Sequence, residues 1–142
     1  MRHMLSLPRR NPHLQATVDL SEQVATHGIC VTSSDPDAWF PPEPSPRSQG
    51  ASAKVIALRA QYEQIARELC GPCPVRAQCL ELVLREEHHL SRSRISGIRG
   101  GKAPWQRYLM IYRRRRRASR NAARQARQST ARRSAMSSKA VV

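Results

Sequence analysis

Apolar residues recur at helical spacing in three places along the chain. From Ala53 to Leu69, the residues Val55, Leu58, Tyr62, Ile65 and Leu69 follow one another at steps of three, four, three and four, one stripe of a helix. A second stretch, from about Pro74 to His89, places Val75, Cys79, Leu80, Leu82 and Val83 on its apolar side and sets Glu81 and Arg85 as an i, i+4 ion pair. The closely spaced glycines of Gly97-Ile98-Arg99-Gly100-Gly101 permit left-handed turn geometry and break the pattern. Pro104 then opens a third helix, in which Trp105, Tyr108, Leu109 and Tyr112 stand at i, i+3, i+4 and i+7 as core before the helix fades into arginine. The pattern predicts an all-α fold, a small bundle of three to four short helices.

Polar stretches set the expected boundaries. Residues 1–24 read as a disordered N-terminal arm, residues 25–112 as the compact domain and residues 113–142 as a basic tail. Within the domain, residues 33–52 carry Pro36, Pro41, Pro42, Pro44 and Pro46 among serines and read as a loop. One Phe, two Trp and three Tyr make a thin core, so a domain of this size is marginal without a staple. No internal repeat is visible.

Charge separates the tail from the rest. Residues 1–87 hold nine Lys or Arg and all ten acids; residues 88–142 hold sixteen Lys or Arg and no acid. The run Arg113-Arg114-Arg115-Arg116-Arg117 is followed by Arg120, Arg124 and Arg127 among Ala, Ser, Gln and Asn. Such a segment repels itself and has little to bury, so it is expected to be disordered alone and to meet the phosphates of DNA. Six to eight phosphate contacts would give log affinity a slope against log salt of roughly −5 to −7. Arginine also suits the narrow A·T-rich minor groove, a readout of shape. A solubilising or RNA-binding tail is the plainer alternative. Neither a secretory signal nor a transmembrane run is present, and the arginines join no lipid anchor or strong apolar face. The expectation is a cytoplasmic, nucleoid-associated protein, monomeric in itself.

In that compartment thiols stay reduced, and the four cysteines read as a metal or cluster site before a disulfide framework. Three stand close together, at Cys70, Cys73 and Cys79, and Cys30 stands apart. Closing the chain between Cys30 and Cys70 costs on the order of 3 kcal/mol plus a constant. A structural zinc returns about 10–16 kcal/mol in small peptides. Four-cysteine zinc sites usually come as two C-x2-C knuckles, whereas an iron-sulfur cubane accepts an uneven set such as this one. His27, His88 and His89 are the conceivable substitutes in a zinc site. The Cys70-Gly71-Pro72-Cys73 step also has the C-x-x-C form of a disulfide reductase, though no strand-rich pattern surrounds it.

The order of a lone cysteine (Cys30), an acidic-aromatic step (Asp35 to Pro41), C-x2-C-P-V-R-x2-C (Cys70 to Cys79), a glycine turn (Gly97 to Gly101) and a basic C-terminus resembles the WhiB-like proteins. These are small transcription factors of actinobacteria and their phages, and the likeness spans about residues 27–117. It implies one 4Fe-4S cluster per chain on Cys30, Cys70, Cys73 and Cys79, held by a small helical bundle, with no enzymatic activity. It also implies binding to the C-terminal domain of the primary sigma factor of RNA polymerase, with promoter DNA reached through Arg113–Arg117, Arg120, Arg124 and Arg127. Cluster loss to oxygen, nitric oxide or iron limitation would act as a switch. The sigma contact would fall on Gly97, Ile98, Arg99, Gly100 and Gly101, helped by Trp39 and Phe40. The family's turn carries tryptophan where this chain has Arg99, which stacks and pairs with acids but buries less apolar surface.

Overall fold

A computed structural model describes residues 10–44 and 52–140. It divides the chain into two units, residues 1–108 and 109–142. Among the described residues there are four helices: α1 (Thr17–His27), α2 (Ala53–Cys70), α3 (Arg76–Glu86) and α4 (Pro104–Lys139). Short 3-10 turns lie at Pro12–Leu14, Ile29–Thr32, Pro36–Trp39 and Arg92–Arg94. Among the described residues there is no strand, only an isolated antiparallel bridge between Arg99 and Lys102. The expected all-α fold is the one observed.

The expected disordered arm needs correction. Residues 1–9 lie outside the described residues, but the segment from Pro12 onward is ordered on α3. Asn11 accepts the His13 backbone N–H at 3.1 Å and so caps the Pro12–Leu14 turn. α1 packs on α3 and buries Leu20 completely. Arg85 then fastens the approach, donating to the backbone oxygens of Pro12, His13 and Gln15 and to Thr17 Oγ1 at 2.9–3.3 Å. Glu81, the expected i, i+4 partner, holds Arg85 at 2.8 Å and also meets His13 Nδ1 at 2.8 Å. A segment with little apolar content is thus ordered by a long side chain that satisfies its backbone carbonyls.

α2 starts where Ser52 Oγ accepts the Val55 N–H at 3.3 Å. Its buried row is Tyr62, Ala66 and Cys70, with Ile65 and Leu69 flanking, while Leu58 at the outer end of the expected stripe is 41% exposed. α3 buries Leu82, Val83 and Leu84, as its spacing suggested for the first two. Of the expected loop, residues 45–51 lie outside the described residues, and the Pro36–Trp39 turn is the only regular element in what remains.

α4 opens at Pro104, with Gln106 Oε1 accepting the Ala103 N–H at 2.9 Å, half of a capping box. Trp105 is half-buried on Tyr62, with ring centroids 4.9 Å apart, and donates its indole N–H to Glu63 at 2.7 Å. Leu109 and Tyr112 are exposed, so the expected four-residue core stripe is only half seated. Beyond them the expected disordered tail is a continuation of the same helix. No Gly or Pro follows Trp105, and Ala, Arg, Gln and Met are all good helix formers, which lets the helix run to Lys139.

Candidate metal centre

Two separate stretches of chain deliver the four cysteines to one cavity of about 140 Å³. Cys30 comes from the Ile29–Thr32 turn behind α1, Cys70 is the last residue of α2, Cys73 sits in the following turn and Cys79 in the first turn of α3. The Cys70 carbonyl accepts the Cys73 N–H at 3.1 Å, and Val75 accepts the Cys79 N–H at 2.8 Å, so one tight reversal turns three thiols inward. Val24, Trp39, Val75 and Ile98 wall the space. None of the three histidines is among its lining residues.

A cavity of this volume leaves room for more than one atom among the four thiols. Four thiolates around one zinc stand about 2.3 Å from it and enclose no void. A cavity near 140 Å³ instead has the size of one that takes up benzene, about 150 Å³. Among the described residues, no three His, Cys, Asp or Glu side chains converge tightly enough for a single ion. The donor set fits a group of several atoms.

Burial pushes the Cys70 and Cys79 thiols above the ordinary range, and the neighbouring sulfurs push the same way, Cys73 and Cys30 on Cys70, Cys30 and Cys70 on Cys79. Against this, Cys70 accepts hydrogen bonds from the Gly101 N–H and the Trp39 side chain, and Cys79 accepts one from the Gly100 N–H and feels the Arg99 charge. These donors favour sulfur that carries negative charge, as in a bound metal thiolate. The direction of the Cys70 shift opposes the C-x-x-C reductase reading, which needs an activated, depressed thiol.

The glycine turn is what brings those N–H groups to the sulfurs. Gly97, Gly100 and Gly101 all have positive φ. At Gly100, with φ +60, a Cβ would stand 2.6 Å from the Leu80 Cα, so the turn lies directly on the α3 backbone. Arg107, fully buried, holds the turn from behind. It forks onto Glu87 at 2.9 and 3.0 Å and donates to the carbonyls of Ser96, Gly97 and Lys102 at 2.7–2.9 Å. The sequence reading missed this arginine. Its one signal was a lone cation among Trp105, Tyr108 and Leu109, with nothing to name its partners.

The segments expected to meet sigma factor lie together. Trp39 accepts the Ile98 N–H at 2.7 Å, and the Phe40 ring edge packs on Gly97, where a Cβ would meet it at 2.6 Å. Gly97, Ile98, Gly100 and Gly101 are buried, whereas Phe40 is 64% exposed and Arg99 reaches the surface to pair with Glu86 at 2.8 Å. In the second unit, Arg113, Arg116, Arg117, Arg120, Arg124 and Arg127 are exposed on α4, and Arg114 and Arg115 belong to the same helix.

A small all-α protein that closes four cysteines round a cavity beneath a hydrogen-bonding glycine turn is the class these features define. The family described as Transcription factor WhiB matches residues 25–110, more than half of the sequence, and the chain belongs to it. It is thus a member of a transcription-factor family rather than of an enzyme family. No curated protein and no solved structure matches the chain. Among the described residues no helix is long and apolar enough to cross a membrane.

Proposed function

We propose that the chain is an iron-sulfur transcription regulator that holds one 4Fe-4S cluster on Cys30, Cys70, Cys73 and Cys79. The observation that carries this reading is the cavity of about 140 Å³ lined by all four cysteines, with two of the sulfurs already accepting N–H donors. When bound, the cluster would supply sensitivity to oxidation or nitric oxide and tie α1, α2 and α3 together. The chain's own part is to present four thiols, exclude water with Val24, Val75 and Ile98, and hold the sulfurs by the Gly100, Gly101 and Trp39 donors.

Two contacts complete the reading. The surface around Phe40 and the glycine turn docks the C-terminal domain of the primary sigma factor, with Arg99 replacing an apolar anchor by a charged one and favouring an acidic counterpart. The arginines of α4 bind promoter DNA, aided by the effective concentration that docking on polymerase provides.

The first test is an absorption spectrum of protein purified without oxygen, with iron, sulfide and zinc quantified on the same sample. A broad visible band with about four irons and four sulfides per chain supports the reading. A colourless protein with one zinc overturns the cluster and leaves a constitutive nucleic-acid-binding module. A sigma-domain pull-down comparing the native chain with Arg99→Trp then tests the docking surface. No binding by either form would remove sigma factor from the proposal.

A further inference from the structure

The sequence suggested a disordered tail that reads the shape of the minor groove, and α4 changes what those residues can do. From Arg113 to Arg133 they stand on one uninterrupted helix. At 3.6 residues per turn, Asn121, Gln125 and Gln128 fall within an arc of about 60°. All three are exposed. With a rise of about 1.5 Å per residue, the outer two are about 10 Å apart along the axis, the length of about three base pairs. Arg132 stands inside the same arc one turn beyond Gln128, and Arg124 about 40° to one side of it; Arg120 and Arg127 lie further round on that side and Arg133 on the other, each about 110–130° from the middle of the stripe. Ala123 and Ala126 take the opposite face.

An amide side chain offers a donor and an acceptor side by side, the pattern that pairs with N6 and N7 of adenine. A surface meant only to hold phosphates has no need of it, since arginine alone supplies that charge. Groove dimensions select the target. An α-helix with its side chains is about 10–12 Å across and enters the major groove of B-DNA, about 12 Å wide, but not the minor groove of about 6 Å. The major groove of duplex RNA is too deep and narrow to be read in this way.

We propose that α4 carries a recognition helix for the major groove of B-DNA, in which Asn121, Gln125 and Gln128 read base edges with a preference for adenine while Arg120, Arg127 and Arg133 hold the phosphates on either side. The inference rests on the DNA-binding reading above and adds the groove, the reading residues and the base preference.

The test uses the full chain. A randomised 20-bp duplex library is selected for binding, and affinity for the enriched duplex and for a scrambled one is then followed across a range of salt. Replacing Asn121, Gln125 and Gln128 together by alanine is expected to lower the enriched-over-scrambled ratio at least about tenfold, with the salt slope unchanged. Ala123→Pro with Ala126→Pro keeps every charge and interrupts the helix; the ratio is expected to collapse toward one while most non-specific binding persists. Methyl green, a major-groove ligand, is expected to displace the native chain. A proline variant that discriminates as well as the native chain overturns the proposal, as does displacement by distamycin alone or tighter binding to an RNA duplex. Selection that enriches nothing also overturns it, while leaving non-specific DNA binding standing. Absence of any DNA binding removes both readings.

Discussion

Trp39 donates a side-chain hydrogen bond to the sulfur of Cys70, and the same residue's carbonyl receives the Ile98 N–H at 2.7 Å. One aromatic residue thereby joins the wall of the cavity to the turn that covers it. Replacing Trp39 with phenylalanine keeps much of the packing and removes the N–H···S bond. In the proposed cluster, hydrogen bonds to the cysteine sulfurs would raise reduction potential, so Trp39→Phe is expected to lower it while iron per chain stays constant. A potentiometric titration followed by electron paramagnetic resonance, with iron analysis on the same sample, checks both halves. An unchanged potential would show that the bond has no influence on the centre.

Arg107 is expected to matter for folding more than any other charged residue of the first unit. It is fully buried, with Glu87 and three backbone carbonyls as its partners. Arg107→Met leaves Glu87 as an uncompensated buried charge and orphans the carbonyls, a loss of about 3–5 kcal/mol. Arg107→Lys keeps the charge but cannot reproduce the five-donor fork, and it should recover only part of that loss. Denaturant unfolding of the three forms measures the series.

Gly100→Ala tests the turn itself. The substitution asks a residue with a Cβ to adopt φ +60 and to stand 2.6 Å from the Leu80 Cα, where backbone must move. The left-handed conformation alone costs about 1–3 kcal/mol, and the clash adds to it. The expected outcome is a lower midpoint of thermal unfolding together with loss of iron from the proposed cluster, because the Gly100 N–H no longer reaches Cys79. Loss of stability with full iron retention would mean that the turn supports the fold and not the centre.

How much of this was legible in the sequence depended on whether the controlling contacts were local. α2 and the start of α4 followed from apolar spacing and from Pro104, and the reversal between Cys70 and Cys79 from its prolines and cysteines. α1 was hidden because its order comes from Arg85 donating to backbone carbonyls some seventy residues away in sequence, and carbonyls leave no mark in a residue pattern. The Arg107–Glu87 pair was hidden for the same reason, since nothing in either neighbourhood names the other. In the tail, charge repulsion and helix propensity pointed in opposite directions. Net charge argued for disorder there, whereas the absence of Gly and Pro after Trp105 allowed the helix to continue.

Tyr62 offers a prediction of opposite sign. Its hydroxyl is buried with no hydrogen-bond partner among the described residues. Tyr62→Phe removes an unsatisfied polar group and keeps the ring contact with Trp105, so stability is expected to be unchanged or higher by about 1 kcal/mol. A loss of stability in thermal unfolding would reveal a partner for the hydroxyl in solution.

Arg85 is where the N-terminal segment and the candidate centre are coupled. Its guanidinium binds three backbone oxygens and Thr17 Oγ1 just ahead of α1, and α1 leads into the turn that carries Cys30. Removing it in Arg85→Ala breaks several charge-assisted bonds at a partly exposed position, for which a loss of about 2 kcal/mol is a fair expectation after solvent screening. The loss should be local first. Limited proteolysis is expected to cut within residues 10–27 faster than in the native chain, while the α2–α3 reversal stays protected. Cys70, Cys73 and Cys79 arrive from that reversal and would keep their places, so the proposed ligand at risk is Cys30. Faster cutting accompanied by reduced iron per chain would establish that the strap positions this cysteine. Faster cutting with iron unchanged would show that Cys30 is held by its own turn and that α1 serves only to cover α3.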